Sequence, residues 1–180
     1  NMATVNFENW LAEYLGGNIS DVRRLLKNKT AVHFLIAWSI FESRLFSKQG
    51  NGKSSVNAET ICEFSKIIAN NGKFEVASIC EHAMYFHARY QCSKNFRHLM
   101  FEKSKKGNSE KLSIIEKILK HNAEELTSEQ KIYLCAFVAF RYRNNIFHGN
   151  KAVDSWLEFE EQICHCIAIM QKFISHASCD

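Results

Sequence analysis

Apolar side chains return every third or fourth residue along most of this chain, the spacing that gathers them on one face of an α-helix. Between 128 and 147, Ile132, Cys135, Ala139, Tyr142 and Ile146 mark one such stripe. The segment 30–46, TAVHFLIAWSIFESRLF, is apolar almost all round, the pattern of a helix at the centre of a bundle. A short amphipathic opener, NFENWLAEYLG, closes on Gly16 and Gly17. Asn57 stands where it can cap AETICEFSKIIA, and NNG ends that helix. Residues 74–101 lack both glycine and proline and form one long stretch, followed by the polar segment SKKGNSEK and a helix over about 112–121. In LTSEQ, Thr127 with Gln130 makes a capping box for the next helix, and Gly149 can close that helix at its far end. Ser155 with Glu158 opens a last helix, which runs to about 175.

These elements predict an all-α fold, an antiparallel helical bundle of five to six helices with mostly short connections. No internal repeat or low-complexity segment divides the chain, so residues 2–180 are expected to form a single domain. The composition agrees. There is no proline and there are only seven glycines in 180 residues, so few turns are forced. At 46% hydrophobic and 23% charged, the chain can bury a core unaided.

Charge and cysteine change the picture modestly. A net charge of +4 is a mild bias toward anionic partners. Seven cysteines include no CxxC pair, and Cys62, Cys80, Cys135 and Cys164 lie in apolar helical patterns, where a free thiol acts as a small hydrophobe. With no signal peptide opening the chain, a reducing cytoplasm is the expected setting. No apolar stretch approaches the roughly 18 residues a membrane span needs, so no membrane partner is expected. The CHC of 164–166 places its side chains in different directions on a helix, and no second ligand pair stands at familiar spacing. HEXXH, P-loop and dinucleotide fingerprints are absent, as is a nucleophilic serine motif, so neither metal nor cofactor is expected.

Candidate chemistry concentrates in RYRNNIFHGN, residues 141–150. Arg143 lies at the edge of the apolar stripe, and His148 falls five residues later, roughly 140° further round a helix of 3.6 residues per turn. One straight helix does not aim both at one point. Either the helix ends between them or a second chain completes the site. Metal-free RNA cleavage needs a base for the 2′-hydroxyl proton, an acid for the leaving 5′ oxygen and positive charge on the phosphorane. Histidine suits both proton roles and arginine the charge. A single histidine cannot serve as both in one step, whereas two copies in a twofold dimer can. The alternative is a helix terminus whose cations simply answer its last carbonyls.

RNNIFHG resembles the signature of the HEPN domain (higher eukaryotes and prokaryotes nucleotide-binding), an arginine, a polar residue and a following histidine. Arg143 and His148 fit with four residues between them, and Asn144 takes the polar position. Arg141 satisfies the looser spacing, but the amide directly follows Arg143. WSIFESRLF, 38–46, resembles the early helix of the family, with Glu42 as its acidic residue. The two pieces cover about 16 of the 180 residues.

The resemblance implies a metal-independent endoribonuclease, acting as a homodimer in toxin or antiviral defence systems. Its RNA products would carry a 2′,3′-cyclic phosphate and a 5′-hydroxyl. His148 would be the general acid/base, Arg143 the stabiliser of the phosphate and transition state, Asn144 the residue positioning them, and Glu42 the one orienting Arg143. An antitoxin or defence-complex partner is implied as well. Some members keep the fold without catalysis, so a non-catalytic HEPN-like adaptor that binds a nucleotide or a partner protein is the alternative. In one toxin subgroup a tyrosine two residues after the histidine is modified by a partner enzyme; here Gly149 and Asn150 follow His148. Outside the motif, HAMYFHARY (82–90) interleaves basic and aromatic residues, and KSKKGNSEK forms a basic segment. Arg141, Arg89, Lys105 and Lys106 are therefore candidate RNA contacts. The plainer reading is a buried aromatic face and a solvated loop.

Overall fold

The computed structural model describes residues 7–15, 17–46, 56–100, 109–147 and 158–177. Nine α-helices and no strand lie among the described residues. They are α1 Phe7–Leu15, α2 Ile19–Lys27, α3 Lys29–Leu45, α4 Ala58–Asn71, α5 Ala77–Tyr90, α6 Ser93–Met100, α7 Ser109–Lys120, α8 Ser128–Phe147 and α9 Glu160–Ala177.

Local chemistry sets several ends. The Asn57 carboxamide oxygen accepts the amides of Glu59 and Thr60, and the Thr60 hydroxyl accepts the Asn57 amide in return. That helix stops at Gly72, whose φ of +67° only glycine adopts freely. Thr127 and Gln130 make the same reciprocal exchange at the start of α8, at 2.9 and 3.2 Å. The stretch 74–101 divides into α5 and α6 without glycine or proline. Asn95 donates to the Arg89 carbonyl at 3.2 Å and Gln91 to the Leu119 carbonyl at 2.8 Å. Asn95 thus takes the Arg89 carbonyl that a continuous helix would have used, while Gln91 turns away to α7.

The central helix is α8, not α3. Ile132 through Ala139 are eight consecutive buried residues, so this segment is covered in every direction, with α4, α5 and α9 packed on it. In contrast, α3 buries only Phe34, Ala37, Trp38 and Phe41, and leaves Val32, Ile36 and Ile40 exposed at 53, 54 and 39%. Its closest association is with α9. The two helices run in the same direction: Asn28 and Thr30 both donate to Glu160 at one end, and Phe41 meets Phe173 further along at 6.0 Å. This parallel pair departs from the antiparallel expectation, because helices so distant in sequence have no short connection to reverse them. Phe41, Phe46, Phe64, Phe74 and Phe173 interlock at 5.1–6.1 Å and tie α3, α4 and α9 together. Leu11, Ala12 and Val22 form a separate small cluster between α1 and α2. Cys135 and Cys166 occupy the core, whereas Cys164 is exposed, contrary to the apolar pattern around it.

Truncating Phe41 to alanine is expected to remove roughly 3–5 kcal/mol of unfolding free energy in urea titrations, as for other large buried aromatics. Ile67→Ala, at a position 54% exposed, should stay within about 0.5 kcal/mol of the parent.

Candidate functional site

The last turns of α8 carry RYRNN, five polar or amphipathic residues spaced at about 100° around the axis, so each reaches a different neighbour. Arg141 and Asn145, one turn apart, face α6. Arg141 donates from Nε to the Leu99 carbonyl at 3.1 Å and from Nη2 to that of Met100 at 2.7 Å. Asn145 Nδ2 donates to Leu99 as well, at 3.1 Å. These carbonyls lie in the last described turn of α6, on the side toward which the helix dipole favours a cation. Burial pushes the Arg141 pKa down, yet a guanidinium stays charged. Arg141 thus holds α6 against α8. Tyr142 turns inward, its hydroxyl 3.4 Å from that of Tyr90.

Arg143 and Asn144 lie toward α3. The Arg143 guanidinium carbon stands 5.8 Å from the centre of the Trp38 ring, and Nη1 donates to Asn144 Oδ1 at 3.0 Å. Trp38, itself 4% exposed, donates its indole N–H to Glu42 Oε2 at 3.1 Å. One link between Glu42 and Arg143 therefore runs through the indole. A carboxylate accepting from the ring nitrogen enriches the ring and so favours the cation; a cation–π contact as a whole contributes about 0.5–2 kcal/mol. The structure brings Glu42, Arg143 and Asn144 into one seam between α3 and α8. Trp38 is the member that sequence reasoning missed, and its signal was the one-turn spacing from Glu42. His148, Lys105 and Lys106 lie outside the described residues.

The aromatic and basic residues of HAMYFHARY serve mainly the packing of α5. Phe86 and Tyr90 are buried, and the Tyr85 ring stacks on His165 of α9 at 3.9 Å and 16°. Arg89 is half-buried. Burial pulls its pKa down, but the Tyr142, Tyr90 and Tyr85 hydroxyls around it outweigh this and leave it raised. His82 and His165 meet Nδ1 to Nδ1 at 2.7 Å, so one donates while the other accepts and both cannot be charged comfortably. Burial lowers the His82 pKa, helped by His165 and Lys172 against Glu81; burial also lowers that of His165, against Glu161 and Glu81.

Among the described residues no three His, Cys, Asp or Glu side chains converge as a metal site requires, and no helix is long and apolar enough to cross a membrane. Fold and seam together define an all-α protein with an arginine held on an indole at the end of its central helix. Set beside known proteins, the chain matches no family, no curated protein and no solved structure.

Asn145→Ala leaves the α6 carbonyls short of a donor and is expected to lower stability by about 1–3 kcal/mol. Amide exchange over 93–100 should quicken more than over α8. The histidine pair gives a pH dependence. Both folded pKa values lie below the ordinary 6.5, so the unfolded chain binds protons first as pH falls. This contribution is complete above about pH 6.5 and is lost as pH drops through the lowered folded values. Urea midpoints between pH 7.5 and 5.0 should fall for the parent and fall less for His165→Gln.

Proposed function

We propose that the chain is a metal-independent endoribonuclease of the HEPN kind, cleaving RNA by attack of the 2′-hydroxyl on the adjacent phosphate, in a composite site shared by two copies. A toxin or defence effector is the setting this activity suits. The observation that carries the reading is the Arg143 guanidinium held between Trp38 and Asn144, within the motif that ends in His148.

In the reaction an imidazole takes the 2′-hydroxyl proton as the O2′–P bond forms. The P–O5′ bond then breaks, and an imidazolium protonates the leaving oxygen. The phosphorane between these events carries extra negative charge on its non-bridging oxygens, which an arginine answers with parallel N–H donors. The Trp38 ring and the Asn144 carboxamide position the guanidinium before substrate arrives, so less reorganisation is left for the transition state. Asn144 and Glu42 are positioning residues, Glu42 through Trp38.

The outer face of α3 supports the two-copy arrangement. Val32, Ile36 and Ile40 form an exposed apolar stripe along it. By helical phase, Leu35 and Glu42 lie to one side of this stripe, and Trp38 faces inward, away from it. On the other, His33 and Ala37 border a groove of about 370 Å³ against Ile167 and Ile174 of α9. A second copy seated on this face would cover the apolar stripe and the groove beside it.

The test is cleavage of a labelled RNA pool in EDTA. Parent protein should yield cyclic-phosphate and 5′-hydroxyl ends, and His148→Ala and Arg143→Ala should each lose about 100-fold or more. Ile36→Glu should give monomers in light scattering and lower the activity with them. Undiminished cleavage by both site variants would overturn the reading. No cleavage by the parent on any substrate would favour the non-catalytic adaptor.

A further inference from the structure

The opposite end of α8 borders a second cleft, of about 330 Å³, between α4, α7 and the first turns of α8. Its floor is apolar, made by Ile114, Ile118 and the ring of Tyr133. At its rim stand two ammonium groups, Lys66 of α4 and Lys117 of α7, against the single carboxylate of Glu129. By helical rise the floor lies roughly 15 Å along α8 from Arg143, so this is a separate place on the molecule.

Tyr133 makes the cleft unusual. The residue is 2% exposed, and its hydroxyl is wholly covered with no hydrogen-bond partner among the described residues. Proteins satisfy nearly all such buried groups, and phenylalanine would supply the same ring without the unmet donor. Burial, with the Cys62 thiol nearby, holds the phenol far above its ordinary pKa, so it remains a neutral donor. A covered donor just beneath the floor, an apolar wall and a surplus of one positive charge at the rim describe the complement of a small amphipathic anion.

We propose that the α4/α7/α8 cleft binds a small organic monoanion with a flat apolar body, an aryl carboxylate being the simplest case. The ring would lie against Ile114, Ile118 and Tyr133. The carboxylate would sit between Lys66 and Lys117, and an acceptor substituent on the ring would take the Tyr133 hydroxyl once the side chains covering it shift aside. The volume suits ligands from one ring to two fused rings. This site does not rest on the ribonuclease reading, and either can fail without the other.

The experiment titrates benzoate, salicylate and indole-3-acetate, with benzamide and salicylamide as neutral counterparts, into the full chain at pH 7.5. It is followed by calorimetry and by amide chemical shifts. At least one acid should bind saturably at one site, with shifts confined to 62–66, 114–121 and 129–133. Its amide should bind about tenfold more weakly, the scale of one charge-assisted contact. The double variant Lys66→Gln/Lys117→Gln, altered only at two exposed residues, should keep its melting temperature and lose affinity about tenfold or more. Tyr133→Phe should melt no lower than the parent yet bind the acceptor-bearing acid several-fold more weakly. Absence of saturable binding at millimolar concentrations, shifts elsewhere, or affinity unchanged in the lysine variant would each overturn the proposal.

Discussion

Burial of α8 on every side is the constraint from which the rest of the architecture follows. A helix with one apolar face needs one neighbour, but Ile132–Ala139 present apolar surface at all phases of the turn and require a surrounding wall. Helices α4, α5 and α9 supply it. Because the buried segment is internal to a longer helix, both ends of α8 emerge from the core at defined places. The capped start emerges beside the α4/α7 cleft, and the last two turns carry the polar run RYRNN. Candidate chemistry thus sits where the central element leaves its apolar surroundings.

At that exit the 100° step between residues distributes roles. Arg141 and Arg143 are two positions apart and nearly opposite in direction. The first meets carbonyls of α6 and is consumed in joining two helices; the second meets an indole already polarised by Glu42. Identical side chains on one helix differ in use because their neighbours differ. The same logic separates Asn144, bonded to Arg143, from Asn145, bonded to α6.

Helix α3 illustrates an ambiguity in apolar patterns. A segment that is apolar almost all round fits a bundle centre, yet it equally fits a helix with one face in its own core and another left for a second molecule. Here Phe34, Ala37, Trp38 and Phe41 face inward while Val32, Ile36 and Ile40 face out. The sequence pattern is common to both cases. Only the presence or absence of a covering helix distinguishes them.

What the sequence determined by itself is what depends on residues within a few positions of one another. The helical content of the described residues, the Asn57 cap, the Thr127–Gln130 capping box, the Gly72 stop and the phase of the α8 stripe were all legible, since each is settled within about one turn. The candidate pair Arg143–Asn144 was legible for the same reason. Tertiary structure decided which helix is central, the parallel run of α3 beside α9, the break between α5 and α6, the commitment of Arg141 to α6, the part played by Trp38 and the unmet hydroxyl of Tyr133. Periodicity tells a residue which way to face along its own helix. What it meets there is set by segments tens of residues away, through burial and hydrogen bonding that local spacing does not encode.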